Sequence, residues 1–139
     1  MGAVVAVSGA VGGVGASTLA YAIGLTTNGF VIDLQPDGVP FDLLIGAEAA
    51  PGTRWNQVRI TSPDVAAEAI REAVPRHHEM PFLTTDFKSA CDASAAVHIV
   101  NALRAVDAFV VVDIPSRHSL LEVLQPDLHV VVIPPTVPG

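Results

Sequence analysis

A glycine-rich segment near the N-terminus constrains the fold more than any other part of the sequence. Residues 8–18 read SGAVGGVGAST and directly follow the aliphatic run of residues 4–7. Glycines at positions 9, 12, 13 and 15 permit positive φ angles, which side chains with a Cβ adopt only at a cost. A helix-compatible stretch, Ser17–Thr26, comes next. The segment therefore predicts a strand, a tight turn and a helix, the opening unit of a parallel sheet.

The rest of the chain repeats this alternation of short β-branched runs and helical stretches. We predict an α/β fold, a mostly parallel sheet flanked by helices, in a single domain over residues 1–139. The irregular stretch from Pro36 to Asn56 is expected to form a loop over a ligand site at the carboxyl ends of the strands. The predicted strands are Val4–Ser8, Phe30–Leu34, Pro81–Thr84, Phe109–Ile114 and His129–Ile133, and the predicted helices are Ser17–Thr26, Pro63–Val74, Ser94–Val106 and Ser119–Leu124.

Composition excludes several classes of function. The 7 Lys and Arg residues against 14 Asp and Glu residues give no basic footprint for nucleic acid or an anionic membrane. Met1–Ile32 lacks charged side chains, but its seven glycines disfavour a spanning helix, and a signal peptide needs a basic start. The single cysteine, Cys91, suits a reducing cytoplasm. The histidines show no metal-binding spacing; they are His77, His78, His98, His118 and His129.

The glycine segment itself is suited to binding phosphate. Its glycines let backbone N–H groups approach an anion, and the helix that begins near Ala16 contributes the partial positive charge of its N-terminus. One alternative is a purely structural turn. Another is a dinucleotide-binding loop, in which Ser8 stands in the short-chain dehydrogenase fingerprint and Asp33 in the ribose-binding position. The catalytic Tyr-x-x-x-Lys pair of those enzymes is missing, because Tyr21 lies in the first helix and the sole lysine is Lys88.

Three motifs together resemble the ParA/MinD-type P-loop family, whose deviant Walker A motif reads KGGxGK[ST]. AVGGVGAST shares that skeleton, VIDLQPDGVPFDLLIGAE resembles the second strand and switch segment with Asp33, Asp42 and Gly46 in register, and FVVVDIP resembles the Walker B strand with Asp113. The lysine-free GAST tetrapeptide and LLIGAEAAPGTRW are most similar to actinobacterial CpaE-like, or septum site-determining, proteins related to TadZ.

This resemblance implies a P-loop NTPase-like fold that binds ATP or ADP with Mg²⁺. It implies a metal site formed by Ser17, Asp33 and Asp113, although Asp33 fits equally well as a strand-end acid that caps nearby amides. It also implies that Thr18 donates to a phosphate. The implied nucleotide-binding residues are Gly12, Gly13, Val14, Gly15, Ala16, Ser17 and Thr18.

The sequence departs from the family at its charged catalytic positions. Val11 and Ala16 stand where the family has lysines, and Gln35 replaces the switch aspartate. Each such loss commonly lowers the rate by about 10²–10⁵, so hydrolysis is expected to be negligible. Replacement cations near these motifs are scarce: Lys88 follows a later strand, and Arg117 stands just past the Walker B segment. Arg117 could reach a phosphate directly or across a dimer, but it fits best as a solvated surface residue. Open alternatives are a slow ATPase completed by a partner and an interaction module that binds no nucleotide.

The resemblance further implies a cytoplasmic positioning or assembly factor, recruited to the pole or septum, in septum placement or a Tad-type pilus or secretion system. The chain is shorter than members of that family and ends after the apolar segment His129–Ile133. That segment has the composition of a strand buried on both faces. We therefore expect a homodimer, or a complex with another protein of such a system, with contacts near this segment or across the glycine loop.

Overall fold

The computed structural model describes residues 2–10, 15–34, 44–47, 49–58, 60, 64–84, 93–106, 108–115 and 120–135. Strands and helices alternate through most of this part of the chain. The strands are β1 (Val4–Gly9), β2 (Phe30–Asp33), β3 (Arg76–His77), β4 (Met80–Leu83), β5 (Val110–Asp113) and β6 (Leu128–Val132). The helices are α1 (Ala16–Thr27), α2 (Ala67–Ala73), α3 (Ala93–Ala105) and α4 (Leu120–Leu124), with a 3₁₀ turn at Trp55–Gln57.

The strands form one six-stranded sheet in the order β3-β4-β2-β5-β1-β6. β1 pairs in parallel with β5 and β6, and β2 pairs in parallel with β4 and β5. Only β3 is antiparallel, because it joins β4 through the tight turn at His78 and Glu79. Both turn residues have positive φ, 49° and 67°, as a two-residue hairpin turn requires. The predicted α/β class with a mostly parallel sheet is confirmed.

The central strands are covered on both faces by separate apolar clusters. On one face the cluster includes Ala16 and Ala20 of α1, packed with strand residues such as Val7, Val31 and Val111. On the other face, residues of α2, α3 and α4 pack with the alternate strand residues, including Val4, Ile32 and Val112. This two-sided burial explains why the strand segments read as continuous aliphatic runs.

Helix α1 lies unusually close to the sheet because of Gly24. A Cβ at this position would overlap Val31 and would come within 2.7 Å of the Met80 sulfur. Absence of a side chain therefore lets the helix backbone approach β2 and β4 directly. This close packing of α1 on the sheet positions the start of the helix at the carboxyl ends of the strands.

None of the helices in the described part of the chain is long and apolar enough to cross a membrane.

All but one of the predicted elements match the observed ones to within one residue, and one observed strand was not predicted. The helix predicted over Pro63–Val74 begins at Ala67; Pro63 itself lies outside the described residues. Ala66 has an extended backbone (φ −82°, ψ 111°) and makes no side-chain cap, and Val65 and Ala66 face a cavity under the helix, so this aliphatic pair extends the chain across the cavity before the helix starts. Strand β3 was not predicted, because a two-residue strand has no periodicity.

Candidate functional site

The predicted polar residues lie together at one end of the sheet, where four parallel strands have their carboxyl ends. Asp33 ends β2 and Asp113 ends β5, and the two are direct neighbours in the parallel register. Thr84 follows β4 and Gly9 ends β1. Ligand sites of open α/β sheets lie beyond the carboxyl ends of the strands. The start of α1 is at the same end of the sheet, since the helix follows β1.

The first turn of α1 presents backbone donors without a side-chain cap. Gly15 occupies the N-cap position in the left-handed region, φ 91° and ψ 17°, and neither a side-chain cap nor an acidic residue in the first turn is present. The first intrahelical hydrogen bond runs from Leu19 N to Gly15 O, 2.9 Å. The N–H groups of Ala16, Ser17 and Thr18 therefore have no acceptor within the helix, which is the arrangement that binds anions.

Gly15 also leaves open space beside this turn. Among the described residues, no heavy atom lies within 4 Å of a Cβ built on Gly15, and Thr18 is exposed. The positive φ of Gly15 is by itself a reason for glycine at this position. No described residue blocks the approach of an anion to the free amides from this side.

Ser17 and Asp113 form a direct link between α1 and β5. The Ser17 hydroxyl donates to Asp113 Oδ2 at 2.5 Å, and the Asp113 side chain is almost fully buried. The serine hydroxyl thus stabilises, by a hydrogen bond, a carboxylate that burial would otherwise destabilise. The structure brings together these two predicted metal-site residues.

Asp33 is held in a different way. Its carboxylate is buried and accepts a hydrogen bond from the Thr84 hydroxyl at 2.8 Å, while its backbone carbonyl accepts from the Trp55 indole at 2.7 Å. Strand alternation directs Asp33 and Asp113 to the α1 side, because Val31 and Val111 belong to the cluster under α1. Two acids therefore lie side by side beneath the helix start.

The segment that contains Trp55 crosses the ends of β2 and β4. Trp55 N donates to Thr84 O at 2.8 Å, so this single residue is bonded to the ends of both strands. Arg54 is buried, donates to the carbonyls of Ala50 and Gly52 at 2.8 and 3.0 Å, and lies over the Phe82 ring. The arginine therefore organises this segment internally, and the tryptophan fastens it to the site.

This arrangement can hold an anion at the helix start and a cation near the acids, but not a metal on protein ligands alone. Among the described residues, no group of three or more His, Cys, Asp or Glu side chains is placed to hold a metal ion. Mg²⁺ usually takes only one or two carboxylates and completes its shell with water and phosphate. Ser17, Asp113 and Asp33 fit that role for a metal that arrives with a phosphorylated ligand.

Two further predicted residues lie within the described part of the chain, and others lie outside it. Ala16, a predicted binding residue, is buried in the apolar cluster beneath α1. Positive φ at Gly46, 72°, agrees with a glycine requirement in the second motif. The residues outside the described ranges are Val11, Gly12, Gly13, Val14, Gln35, Asp42, Lys88, Cys91, Arg117 and His118.

Sequence reasoning missed three residues that shape the site, namely Thr84, Arg54 and Trp55. The sequence predicts Thr84 only as the end of a strand, and the TRW tripeptide at positions 53–55 carries only part of a resemblance. The available signal was an arginine directly before the single tryptophan, because both residue types need hydrogen-bond partners if they are buried.

Other polar contacts do not form an alternative site. The Ser8 hydroxyl and His129 Nε2 are 2.8 Å apart, yet Ser8 is 1% exposed, so no substrate can reach it as a nucleophile. The Tyr21 and His77 rings contact each other in a tilted arrangement, with centroids 5.7 Å apart, and the contact is away from the strand ends. Asp33 bonds to Thr84 rather than facing outwards, which does not favour the ribose-binding role of a dehydrogenase.

A cavity of about 450 Å³ lies on the opposite face from α1. It is bounded by α2 and by residues of the 53–60 stretch, and Leu83 and Ile99 form part of its wall. Its lining is mainly aliphatic. The free amides of α1 and the buried acids do not line it, so we do not assign the phosphate chemistry to this cavity.

Comparison with known proteins gives relatives without an assigned activity. No family model matches the chain, and no solved structure matches it. Similar proteins are the uncharacterized protein Rv3660c of Mycobacterium tuberculosis strain ATCC 25618 / H37Rv and the uncharacterized protein MT3760 of strain CDC 1551 / Oshkosh. Each is 36% identical over 118 residues, covering 84% of this chain and 34% of the relative. The chain thus spans about a third of the length of the curated relatives it matches.

Proposed function

We propose that this chain binds Mg-ATP or Mg-ADP at the start of α1 and acts as a nucleotide-responsive positioning or assembly factor with little or no hydrolysis. The observation that carries the proposal is the uncapped first turn of α1, with Gly15 at φ 91°, directly beside the Ser17–Asp113 link. Backbone amides and the helix dipole bind phosphate without requiring a lysine.

The acids beneath the helix support a metal-bound nucleotide over a free phosphate. Asp113 and Asp33 are buried, and their negative charge disfavours a bare polyanion nearby. A bound Mg²⁺ would offset that repulsion. Ser17 and Asp113 are the residues placed to hold the metal or its water shell, with Asp33 as its neighbour.

Weak or absent hydrolysis follows from the chemistry at position 16. Phosphoryl transfer depends on cations that neutralise charge developing on the phosphates. Ala16 begins the helix and contributes only a buried methyl group there. The proposed role is therefore binding and release, with the nucleotide acting as a ligand and not as a substrate.

The cellular setting of the proposal comes from the resemblance to ParA/MinD-type and CpaE-like proteins. We propose a cytoplasmic protein that acts at the septum or pole, or in a Tad-type pilus or secretion system. It would assemble as a homodimer or with another protein of such a system. The alternatives remain a slow ATPase completed by a partner's cation and an interaction module without nucleotide.

Calorimetric titration of the purified chain with Mg-ATP, Mg-ADP and adenosine tests the proposal. The two nucleotides should bind and adenosine should not, because recognition is through phosphate. The variant Thr18→Lys, at an exposed side chain in the first turn of α1, should bind Mg-ATP about 10–100-fold more tightly than Thr18→Met, the equivalent of one charge-assisted hydrogen bond. Thr18→Met is the matched control, since it adds similar bulk without charge.

The outcomes separate the candidate functions. Binding that is equal for Thr18→Lys and Thr18→Met would show that no phosphate lies at the helix start. Absence of binding in the native chain and in Thr18→Lys would support the interaction module. Phosphate release only in the presence of a second protein would support the ATPase completed by a partner.

A further inference from the structure

Asp33 is held by two residues that come from distant parts of the chain. The Thr84 hydroxyl donates to Asp33 Oδ2 at 2.8 Å, and the Trp55 indole N–H donates to the Asp33 carbonyl at 2.7 Å. Trp55 N in turn donates to Thr84 O at 2.8 Å. Each of the three residues is thus bonded to the other two. The position of the Asp33 carboxylate therefore depends on Thr84, and the position of Thr84 depends on Trp55.

Burial makes the Thr84 hydroxyl important for this carboxylate. Thr84 is 0% exposed and Asp33 is 3% exposed, so bulk water contributes little to the solvation of either side chain. A buried carboxylate is costly unless hydrogen-bond donors compensate for the lost water. The Thr84 hydroxyl supplies such a donor, and it also directs Oδ2 of Asp33 towards β4.

The neighbouring acid on β5 is held by a hydroxyl in the same way. Asp33 and Asp113 are partners in the parallel register, and neighbouring strands lie about 4.8 Å apart, so the two carboxylates repel each other. Asp113 accepts from the Ser17 hydroxyl, as Asp33 accepts from Thr84. Two oriented carboxylates at this spacing suit a cation such as Mg²⁺, which completes its coordination shell with water and phosphate.

We propose that Thr84 is the positioning residue that makes nucleotide binding at the start of α1 depend on Mg²⁺. Thr84 is fully buried, so it acts through Asp33 and not by contact with the ligand. A hydrogen bond that orients a ligating carboxylate commonly contributes about 10–100-fold to metal affinity. This role rests on the proposed function, since it requires that a metal-bound nucleotide occupies the site.

The bonds of Trp55 and of the Thr84 hydroxyl separate a structural contact from a positioning contact. Both Trp55 donors bond to backbone carbonyls, those of Asp33 and Thr84, and so hold the ends of β2 and β4 together. The Thr84 hydroxyl contacts the carboxylate itself. Loss of a purely structural contact should change nucleotide affinity equally with and without metal. Loss of the positioning contact should change only the part of the affinity that the metal contributes.

Calorimetric titration of the purified chain with ADP, in excess Mg²⁺ and separately in EDTA, tests this role. The ratio of the two Kd values measures the metal contribution. In the native chain Mg²⁺ should tighten ADP binding at least about tenfold, because without it the phosphates lie near two uncompensated acids. Thr84→Val retains the size of the side chain and should lose most of this ratio, while its Kd in EDTA stays unchanged. Thr84→Ser retains the hydroxyl and should keep the ratio.

Two further variants control for a general loss of structure. Thr53→Val makes the same chemical change at a side chain that lines the cavity on the opposite face, and it should leave the ratio unchanged. If Thr84→Val does not fold, as judged by circular dichroism and urea denaturation, the comparison of Thr84→Ser with Thr84→Cys takes its place. These two side chains differ in that a strong donor is replaced by a weak one, so Thr84→Cys should lose most of the ratio that Thr84→Ser keeps.

The outcomes distinguish failure of this role from failure of the proposed function. A native ratio that is retained in Thr84→Val and Thr84→Cys would overturn the role of Thr84 and leave the nucleotide site standing. Equal reductions in Thr84→Val, Thr84→Ser and Thr53→Val would indicate a structural effect and would also overturn it. A native chain that binds ADP equally with Mg²⁺ and with EDTA, or does not bind it, would contradict the proposed function and the role of Thr84 together.

Discussion

Gly15 is a residue whose backbone conformation and surrounding space have separate consequences. Its φ of 91° is strained for any residue with a Cβ, whereas the space where a Cβ would stand is open. Gly15→Ala should therefore lower the free energy of unfolding by about 1–2 kcal/mol, and it should also weaken Mg-ATP binding because the new methyl group enters the space beside the free amides. Urea denaturation and calorimetric titration measure the two effects.

Gly46 provides the control for this prediction. It has a similar φ of 72°, and no atom of the described residues lies within 4 Å of a Cβ built on it. Gly46→Ala should lose comparable stability without the loss of affinity that Gly15→Ala shows. Equal nucleotide affinities for the two variants would mean that strain, and not phosphate contact, explains the effect at Gly15.

His77 gives a prediction about pH at the residue scale. Burial, and secondarily the neighbouring His78, lower the pKa of His77 below its ordinary 6.5. The unfolded chain therefore takes up a proton at this residue before the folded chain does, and stability should fall as pH decreases through 6.5 towards the folded-state pKa. Below the folded-state pKa the loss levels off. NMR titration of the His77 imidazole and urea midpoints at several pH values measure this.

The variant His78→Ala tests the order of the two causes. Removing the neighbouring imidazole should raise the pKa of His77 only part of the way, because burial is the larger cause. A native His77 that titrates at or above 6.5 would contradict the prediction. Full return of the pKa to 6.5 in His78→Ala would show that the neighbour, and not burial, dominates.

At the scale of elements, the sequence predicted correctly the elements whose apolar residues recur at regular spacing. Helix α3 was predicted to within a residue because Ala95, Ile99 and Leu103 recur at helical spacing on the face that is buried. The start of α2 was not, since Val65 and Ala66 continue the apolar run before the helix, whereas Ala66 has an extended backbone and both residues line a cavity. The short strand β3 depends on a turn formed by His78 and Glu79, residues that give no turn signal in sequence.

The same distinction applies to the candidate site. The Ser17–Asp113 link was predictable because both residues lie in motifs whose spacing places a helix start beside a strand end. The bonds from Trp55 and Thr84 to Asp33 join residues far apart in the sequence. Such contacts depend on the path of an irregular segment, which neither periodicity nor composition determines.

The connection that leads into β6 contains a reciprocal pair of hydrogen bonds. Val4 N donates to Asp127 Oδ2 at 2.7 Å, and Asp127 N donates to Val4 O at 2.8 Å. Val4 is fully buried, so Asp127→Ala should leave its N–H without an acceptor and lower the free energy of unfolding by about 1–3 kcal/mol. Asp127→Asn retains a carbonyl oxygen and should lose much less. Urea denaturation compares them, and equal losses would contradict this role.

At the scale of the whole molecule, two chemically different surfaces lie at different parts of one sheet. The free amides and buried acids lie at the carboxyl ends of the strands, whereas the neutral edge of β6 runs along the side of the sheet. The two surfaces meet at β1, which is followed by the glycine segment and pairs with β6 through Gly9 and Val132. On β6, Leu128, Val131 and Ile133 are exposed, so the burial of this strand on both faces that its composition predicted is not observed.

The overall charge and the chemistry of the site together predict that ATP is bound without being consumed. The net charge of −7 and the apolar Ala16 at the helix start supply no stabilisation for charge that develops during phosphoryl transfer. At about 100 times its Kd, Mg-ATP should add about 2.7 kcal/mol of stability and raise the melting temperature by several degrees. ³¹P NMR of the same sample should show ATP intact at the background rate, and Asp113→Asn should not change that rate. Phosphate release well above background that is lost in Asp113→Asn would instead establish an active ATPase and contradict the proposed role as a binding protein.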